Sequence, residues 1–315
     1  MPRNRKYLCL VTAVAAVTLV MVGCGGSDDN GGELSGTVRL DGSSTVAPLS
    51  EAAAELFQNE NPDVQVTVGT SGTGGGFEKF CNGETEISDA SRPIADDEVE
   101  ACGANGISFE QITVANDALS VLVNPENPVD CLSAEQLNQI WAPGSKVKSW
   151  GEIDALEPAY DESLELYGPG TDSGTFDYFT DAINGEEGAQ RTDYNNIGED
   201  DNTGIVGVEG SPGGMFYVGF SYYVENQDRV KALAVDGGDG CVEPSLETVQ
   251  GGTYTPLGRG LFIYPSGAAL EKPEVLAFVQ FYIENQAEIA EAAGYIPLTD
   301  EQEEEALAKV ESLTS

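Results

Sequence analysis

"LSGTVRLDGSSTVAPLSEAAAELFQNENPDVQVTVGTSGTGGGFEKFC", residues Leu34 to Cys81, reads as strand, turn and helix, and then as strand, turn and helix again. Leu34–Leu40 alternates, as a half-buried strand does. Val46, Leu49, Ala53, Leu56 and Phe57 then recur at helical spacing until Asn61-Pro62 ends the run. Val64–Val68 alternates once more, and Phe77 and Phe80 mark a second, shorter helix. A chain that repeats this unit builds a layered α/β domain.

Outward from that stretch, a short strand reaching Ser88 and a helix over Asp96 to Cys102 are predicted. Two strands follow, about Phe109 to Ala115 and Leu119 to Val123. Ser133 with Gln136 forms a capping box for a helix to Trp141. Leu164–Tyr167 is a strand and Thr175–Ile183 a helix. Residues 184–214, rich in Gly, Asp, Asn and Glu, give no clear pattern. Arg259–Ser266 is a further strand; Val275, Phe278, Val279, Tyr282 and Ile289 lie on one long helix stopped by Gly294. The acids beyond Thr299 sit in the first turn of a last helix, where the helix dipole favours them.

The chain thus builds one α/β unit, then a second, and returns its C-terminal helices to the first. The predicted division is residues 34–116 plus 258–315 for lobe 1 and 117–257 for lobe 2, with crossings near Asn116–Ser120 and Thr255–Leu261. Two lobes on two crossing strands can close like a hinge.

The first residues, "MPRNRKYLCLVTAVAAVTLVMVGC", set Arg3, Arg5 and Lys6 before an uncharged run from Tyr7 to Gly23, the form of an export signal. The run ends in a box similar to a lipoprotein processing site, with Cys24 as the lipidated residue and 24–33 as a flexible tether. A diacyl anchor would hold the chain on the outer face of the cell membrane without spanning it.

Loss of residues 1–23 removes three basic and no acidic groups, so the formal net charge of −40 falls to −43. Such acidity suits a halophilic exterior, where salt screens repulsion within ~3 Å at 1 M. No stretch clusters Lys and Arg to meet phosphates, which excludes a nucleic-acid groove. Histidine is absent and no CxxC occurs, so zinc binding and Ser-His or Cys-His catalysis lose their commonest parts. Neither metal nor cofactor is expected. Cys81, Cys102, Cys131 and Cys241 favour two disulfides in an exported chain, with three connectivities open. Cys81 with Cys102 and Cys131 with Cys241 keeps each bridge inside one lobe.

Three turns carry the chemistry: "DGSST" (41–45), "GTSGTGGG" (69–76) and "GTDSGT" (170–175), each between a strand and a helix. Helix-start amides and neutral hydroxyls there offer donors without charge. One hydroxyl would cap a helix, but each turn has two or more. The spacing of GxxxxGK[ST] is absent, so these are not nucleotide loops. In "SDASRP" (88–93), Arg92 could grip an oxyanion, and Asp89 would accept a proton from one. Hydrogen phosphate carries that proton and sulfate does not, so a buried carboxylate separates the two.

"DGSSTVAPLSEAAAEL", "GTSGTGGGFEKFCNGETEISDASRPI", "CLSAEQLNQIWAPGSKVKSW" and "LYGPGTDSGTFDYFTDAI" together resemble the phosphate-binding protein of the high-affinity phosphate ABC importer, in its archaeal and bacterial lipoprotein branch. The acidity points to a haloarchaeal member. The resemblance covers about Ser35 to Thr299. It implies a two-lobed venus-flytrap fold, a monomer that is not an enzyme, and delivery of phosphate to a membrane permease. By motif it implies phosphate binding by Ser44, Thr45, Ser71, Asp89, Ser173, Gly174 and Thr175. Well-known members carry an arginine where this chain has Pro169, and Arg92 is the expected substitute. Receptors for sulfate, molybdate or a phosphonate remain rivals within the binding class. A phosphoryl-transfer enzyme would need a nucleophile beside a base, which no motif supplies, and a structural or adhesive surface protein gives no reason for three convergent donor turns.

Overall fold

A computed structural model describes residues 34–171, 173–198 and 200–314. The expected signal (1–23), the lipidated Cys24 and the tether (24–33) lie outside the described residues. Among those described, no helix is long and apolar enough to cross a membrane.

The first half runs β1 (Gly36–Gly42), α1 (Ala47–Glu60), β2 (Val64–Gly69), α2 (Thr73–Cys81), β3 (Ile87–Ala90), α3 (Asp96–Ala104), β4 (Ile112–Val123), β5 (Cys131–Ser133) and α4 (Ala134–Trp141). Then follow β6 (Glu165–Gly168), α5 (Gly174–Asn184), β7 (Asn195–Asn196), α6 (Asp201–Gly210), β8 (Gly214–Gly219) and α7 (Phe220–Glu225). The chain ends with β9 (Lys231–Ala232), β10 (Ala234–Asp236), β11 (Cys241–Val242), α8 (Leu246–Gln250), β12 (Gly258–Pro265), α9 (Gly267–Leu270), α10 (Pro273–Glu284), α11 (Gln286–Ala293) and α12 (Asp300–Thr314).

One mixed sheet passes through both lobes in the order β2-β1-β3-β12-β4-β8-β6-β7, with β9 paired to β4. The strand-turn-helix repeats make β1, β2 and β3 parallel, because a helix crossover returns each strand in the same direction. β4 and β12 are the long-range links. β4 pairs with β12 over Ile112–Ala118 and with β8 over Leu119–Val123.

Here the structure departs from the expected pair of strands: β4 is one continuous strand. Asn116 and Asp117 interrupt its apolar pattern, yet they pair with Gly260 and Arg259 of β12 and the ladder runs on. Another departure is the C-terminal helix, which breaks into α10 and α11. At the junction Asn285 leaves helical geometry (φ −109°, ψ 14°) and its side-chain amide donates to the Phe281 carbonyl at 2.8 Å. Asparagine competes for backbone groups in this way, which weakens a helix from within. Gly294 does stop α11, in the left-handed region at φ 77°.

Each lobe has its own core. One packs Leu49, Phe57, Val66, Ile87, Phe278 and Tyr282, so the first helix and the C-terminal helices meet over the same strands. The other packs Leu137, Trp141, Trp150, Phe179, Met215 and Tyr217. Trp141 is fully buried edge-on to Tyr217 at 4.9 Å between ring centres. Aromatic burial on this scale is worth about 2 to 3 kcal/mol per side chain. The Ser133–Gln136 capping box forms as expected, with the Gln136 amide donating to the Ser133 hydroxyl at 3.1 Å.

Both favoured disulfides are present. Cys81–Cys102 ties α2 to α3, and Cys131–Cys241 ties β5 to β11 in the small sheet β11-β10-β5.

Candidate ligand cleft

The turn from β1 to α1 is held by Ser43. Its amide donates to the Asp89 carbonyl at 2.9 Å, and its hydroxyl accepts from the Thr45 amide at 3.2 Å. Gly42 is required beside it: at φ +151°, a Cβ there would lie 2.0 Å from the Asp89 carbonyl oxygen. Helix α1 takes Val46 as its N-cap and has no side-chain cap, so Ser44 and Thr45 are not consumed in capping.

The turn from β6 to α5 is built alike. Ser173 occupies the N-cap of α5, yet its hydroxyl makes no capping bond. The first amides of a helix lack intrahelical acceptors and carry the positive end of its dipole. The two turns face each other across the lobes, since a Cβ on Gly174 would come within 3.5 Å of the Thr45 hydroxyl oxygen.

Around Thr45 lie two adjoining cavities. The larger, about 310 Å³, is walled by Ser44, Thr45, Asn116, Asp117, Ser173, Gly174 and Thr175 with the rings of Phe220, Tyr222 and Tyr295. The smaller, about 270 Å³, is walled by Ser44, Thr45, Ser71, the start of α2, Ser91, Arg92, Tyr178 and Arg259, with the carboxylates of Asp177, Asp181 and Glu187 also on its wall. Of the eight predicted site residues, the structure therefore brings seven to one or other side of Thr45. Asp89 lines neither cavity.

Ser71 differs from its expected role as a donor. Its amide donates to the Asp41 carboxylate at 3.1 Å, and its hydroxyl donates to the same oxygen. Lys79 donates to the other Asp41 oxygen at 2.5 Å. Burial pushes the Asp41 carboxyl up, but Lys79 and the two Ser71 donors outweigh it and hold the group below the usual range. With its proton given to Asp41, the Ser71 hydroxyl offers the cavity lone pairs.

Asp89 lies under the first turn, on β3, with no exposed surface. Neither carboxylate oxygen has a hydrogen-bond partner among the described residues. Burial pushes its pKa up to about 7, against the neighbouring Ser50 hydroxyl, which bonds Tyr282 at 3.3 Å; the charge of Asp41 adds to the rise. Arg92 reaches the rim of the smaller cavity but is held in a two-pronged pair by Glu98 at 2.8 Å and 2.8 Å. Its side chain is 42% exposed.

The family model described as the PBP superfamily domain matches residues 28–286. The chain belongs to the PBP superfamily. Within this superfamily, the chain is 47% identical over 264 residues to Protein SphX of Synechococcus elongatus, covering 83% of this chain and 77% of that one. The phosphate-binding protein PstS of Staphylococcus saprophyticus is 34% identical, with 98% of this chain and 95% of that one covered. A crystal structure described as a possible phosphate binding protein from Planctomyces limnophilus superposes with a TM-score of 0.84 at 42% identity, over 90% of this chain and all of that one. These likenesses fix the two-lobed PBP fold and place the chain among binding proteins, not enzymes.

Sequence reasoning missed two cleft residues, Arg259 and Asp117. Arg259 sits on β12 and Asp117 on β4, so both come from the strands that link the lobes. The Arg259 Nε donates to Asp117 at 3.2 Å, Nη1 to the Ser91 carbonyl at 3.3 Å and Nη2 to the Thr45 hydroxyl at 3.3 Å. Its guanidinium lies 3.4 Å over the Tyr178 ring of α5. A signal was present in each case: Asp117 breaks an apolar run, and Arg259 stands between glycines in a chain of few cations.

Proposed function

We propose that the protein captures inorganic phosphate, as hydrogen phosphate, in the cleft between its lobes and hands it to an ABC permease. The observation that carries this is the meeting of two neutral turns: Ser44–Thr45 from one lobe and Ser173–Thr175 from the other border one cavity. Donors that carry no charge can hold a desolvated dianion through many directed bonds, and salt screens the field of the acids, which include Asp117 and Asp201 on this cavity and Asp177, Asp181 and Glu187 on the smaller one. The phosphate named in PstS and in the Planctomyces limnophilus protein supports the choice of ligand.

Selection against sulfate would rest on acceptors. Ser71 turns lone pairs to the cavity, and the unbonded oxygens of Asp89 support a role in taking the ligand's proton, although the group stands behind the wall in this structure. Sulfate at neutral pH has no proton to offer such acceptors. Residues 34–116 with 258–315 would move as one lobe and 117–257 as the other, with closure shutting out water.

Export, a lipid at Cys24 and a halophilic setting complete the proposal. They rest on the N-terminal sequence and the charge alone. Calorimetric titration of the purified protein with phosphate, sulfate and arsenate in high salt tests the ligand. Phosphate and arsenate should bind well ahead of sulfate; sulfate binding as tightly as phosphate would overturn the reading. Replacing Asp89 by Asn should shrink the preference for phosphate over sulfate as well as the affinity. An unchanged preference would remove Asp89 from the recognition set.

A further inference from the structure

Removal of residues 1–23 leaves eleven Lys and Arg in the chain, and only Arg92 and Arg259 border the interlobe cavities. They are held very differently. Arg92 has a full carboxylate fork from Glu98, and Glu98 is itself fixed by the Ala95 amide at 2.8 Å. Its charge is answered on its own lobe, with the head group half in water.

Arg259 is 16% exposed and meets its carboxylate through Nε alone. Both terminal nitrogens reach only neutral oxygens of the cavity wall, at 3.3 Å each, the long end of the useful range. Stacking on Tyr178 fixes the plane of the guanidinium, and pairing with Asp117 fixes its edge. The bond from Nη2 occupies a lone pair of the Thr45 hydroxyl, which leaves the hydroxyl proton to donate elsewhere, more strongly for being polarised.

We propose that Arg259 is the ligand-binding cation of the pocket, set in the cleft by Asp117 and Tyr178, and that it serves the oxyanion through its terminal nitrogens and Thr45. This rests on the phosphate reading for the class of ligand. Arg259 belongs to neither motif turn; it contributes from a strand that links the lobes, so its charge stays at the cleft as they move.

The rival role is internal: Arg259 could serve only to neutralise the buried Asp117. Titration calorimetry on Arg259→Gln, Arg259→Lys, Arg92→Gln and the double variant Arg259→Gln with Asp117→Asn separates the two. Arg259→Gln should weaken phosphate binding by about a hundredfold or more, the cost typical of truncating a buried charged partner. Arg92→Gln should lose less, and Arg259→Lys should recover part of the loss. The double variant has no stranded carboxylate, so it folds without the pair and still binds weakly if the proposal holds. Parental affinity in the double variant, or a larger loss for Arg92→Gln than for Arg259→Gln, would overturn it. Titration of the parent protein comes first: if it takes sulfate instead of phosphate, the ligand reading fails while the Arg259 series is run with sulfate. If it binds none of phosphate, arsenate and sulfate, both fail.

Discussion

Glu86 lies just before the short strand β3 and Asp89 on it, both hidden, at 4% and 0% exposure, yet the protein treats them in opposite ways. At the Glu86 end, Arg39 approaches at 2.8 Å and 3.0 Å and Lys272 at 2.8 Å, with the Arg39 amide adding another bond at 3.0 Å. Burial pushes that carboxyl up, but these partners outweigh it and bring it to about 2. At the Asp89 end, three residues on, no cation among the described residues pairs with the carboxylate, the Ser50 hydroxyl offsets burial only in part, and the pKa rises to about 7. A carboxylate that holds a fold together is surrounded by donors. One left without them beside a ligand cleft is costly, and such sites are where function concentrates.

The largest expected break in this contrast comes from Asp89→Asn in the ligand-free protein. Asp89 is raised in the folded state, so the native form binds the extra proton between about pH 4 and 7 and loses stability as pH rises through that window. Removing the ionisable group should therefore stabilise the protein at pH 8 by up to about 4 kcal/mol and leave it little changed at pH 4. Denaturant titrations at the two pH values measure this; equal effects at both would show that Asp89 is not destabilised by its charge.

Glu86→Gln should act with the opposite sign. Glu86 is depressed, so its stabilisation is complete above about pH 4.5 and disappears as pH falls toward 2. Arg39 and Lys272 are about half exposed, which screens the pairs and limits the loss to about 1 to 2 kcal/mol at pH 7. The variant should also flatten the acid limb of the stability curve, and an unaltered limb would locate acid sensitivity elsewhere.

Tyr282→Phe is the smallest test. It removes the Tyr282 hydroxyl that shares Ser50 with Asp89, so that Ser50 can serve Asp89 alone. The carboxyl should then titrate lower by about one pH unit or less, the direction expected when a hydrogen bond favours the charged form. Carboxyl-carbon NMR titration would detect it; a rise would mean that the lost hydroxyl had itself been the stabilising neighbour.

Much of the architecture was legible before the structure. Local patterns marked β1, α1, β2 and α2, and the capping residues Ser133 and Gln136 marked α4, because these signals depend on neighbours a few positions away. Residues 184–214 were not legible. There α6 carries Gly204, where a Cβ would come 2.5 Å from the Phe216 ring, and Gly207, where one would come 2.4 Å from the Tyr167 ring. These glycines weaken a helix locally and are explained only by packing on aromatic neighbours, so the tertiary fold overrode propensity. The split at Asn285 failed in the other direction, since a strong apolar stripe concealed one competing side chain.

The same division runs through the cleft. Sequence by itself determined which turns carry hydroxyls and free helix starts, since a glycine and a hydroxyl at a strand-to-helix junction act within one turn of backbone. Only the tertiary structure decided that Thr45 faces Gly174, that Asp41 takes both donors of Ser71, and that Arg259, rather than a residue of a motif, lies between Thr45 and Tyr178. Those contacts join positions from 30 to 214 residues apart, and no local periodicity encodes a meeting made by sheet register and the approach of two lobes.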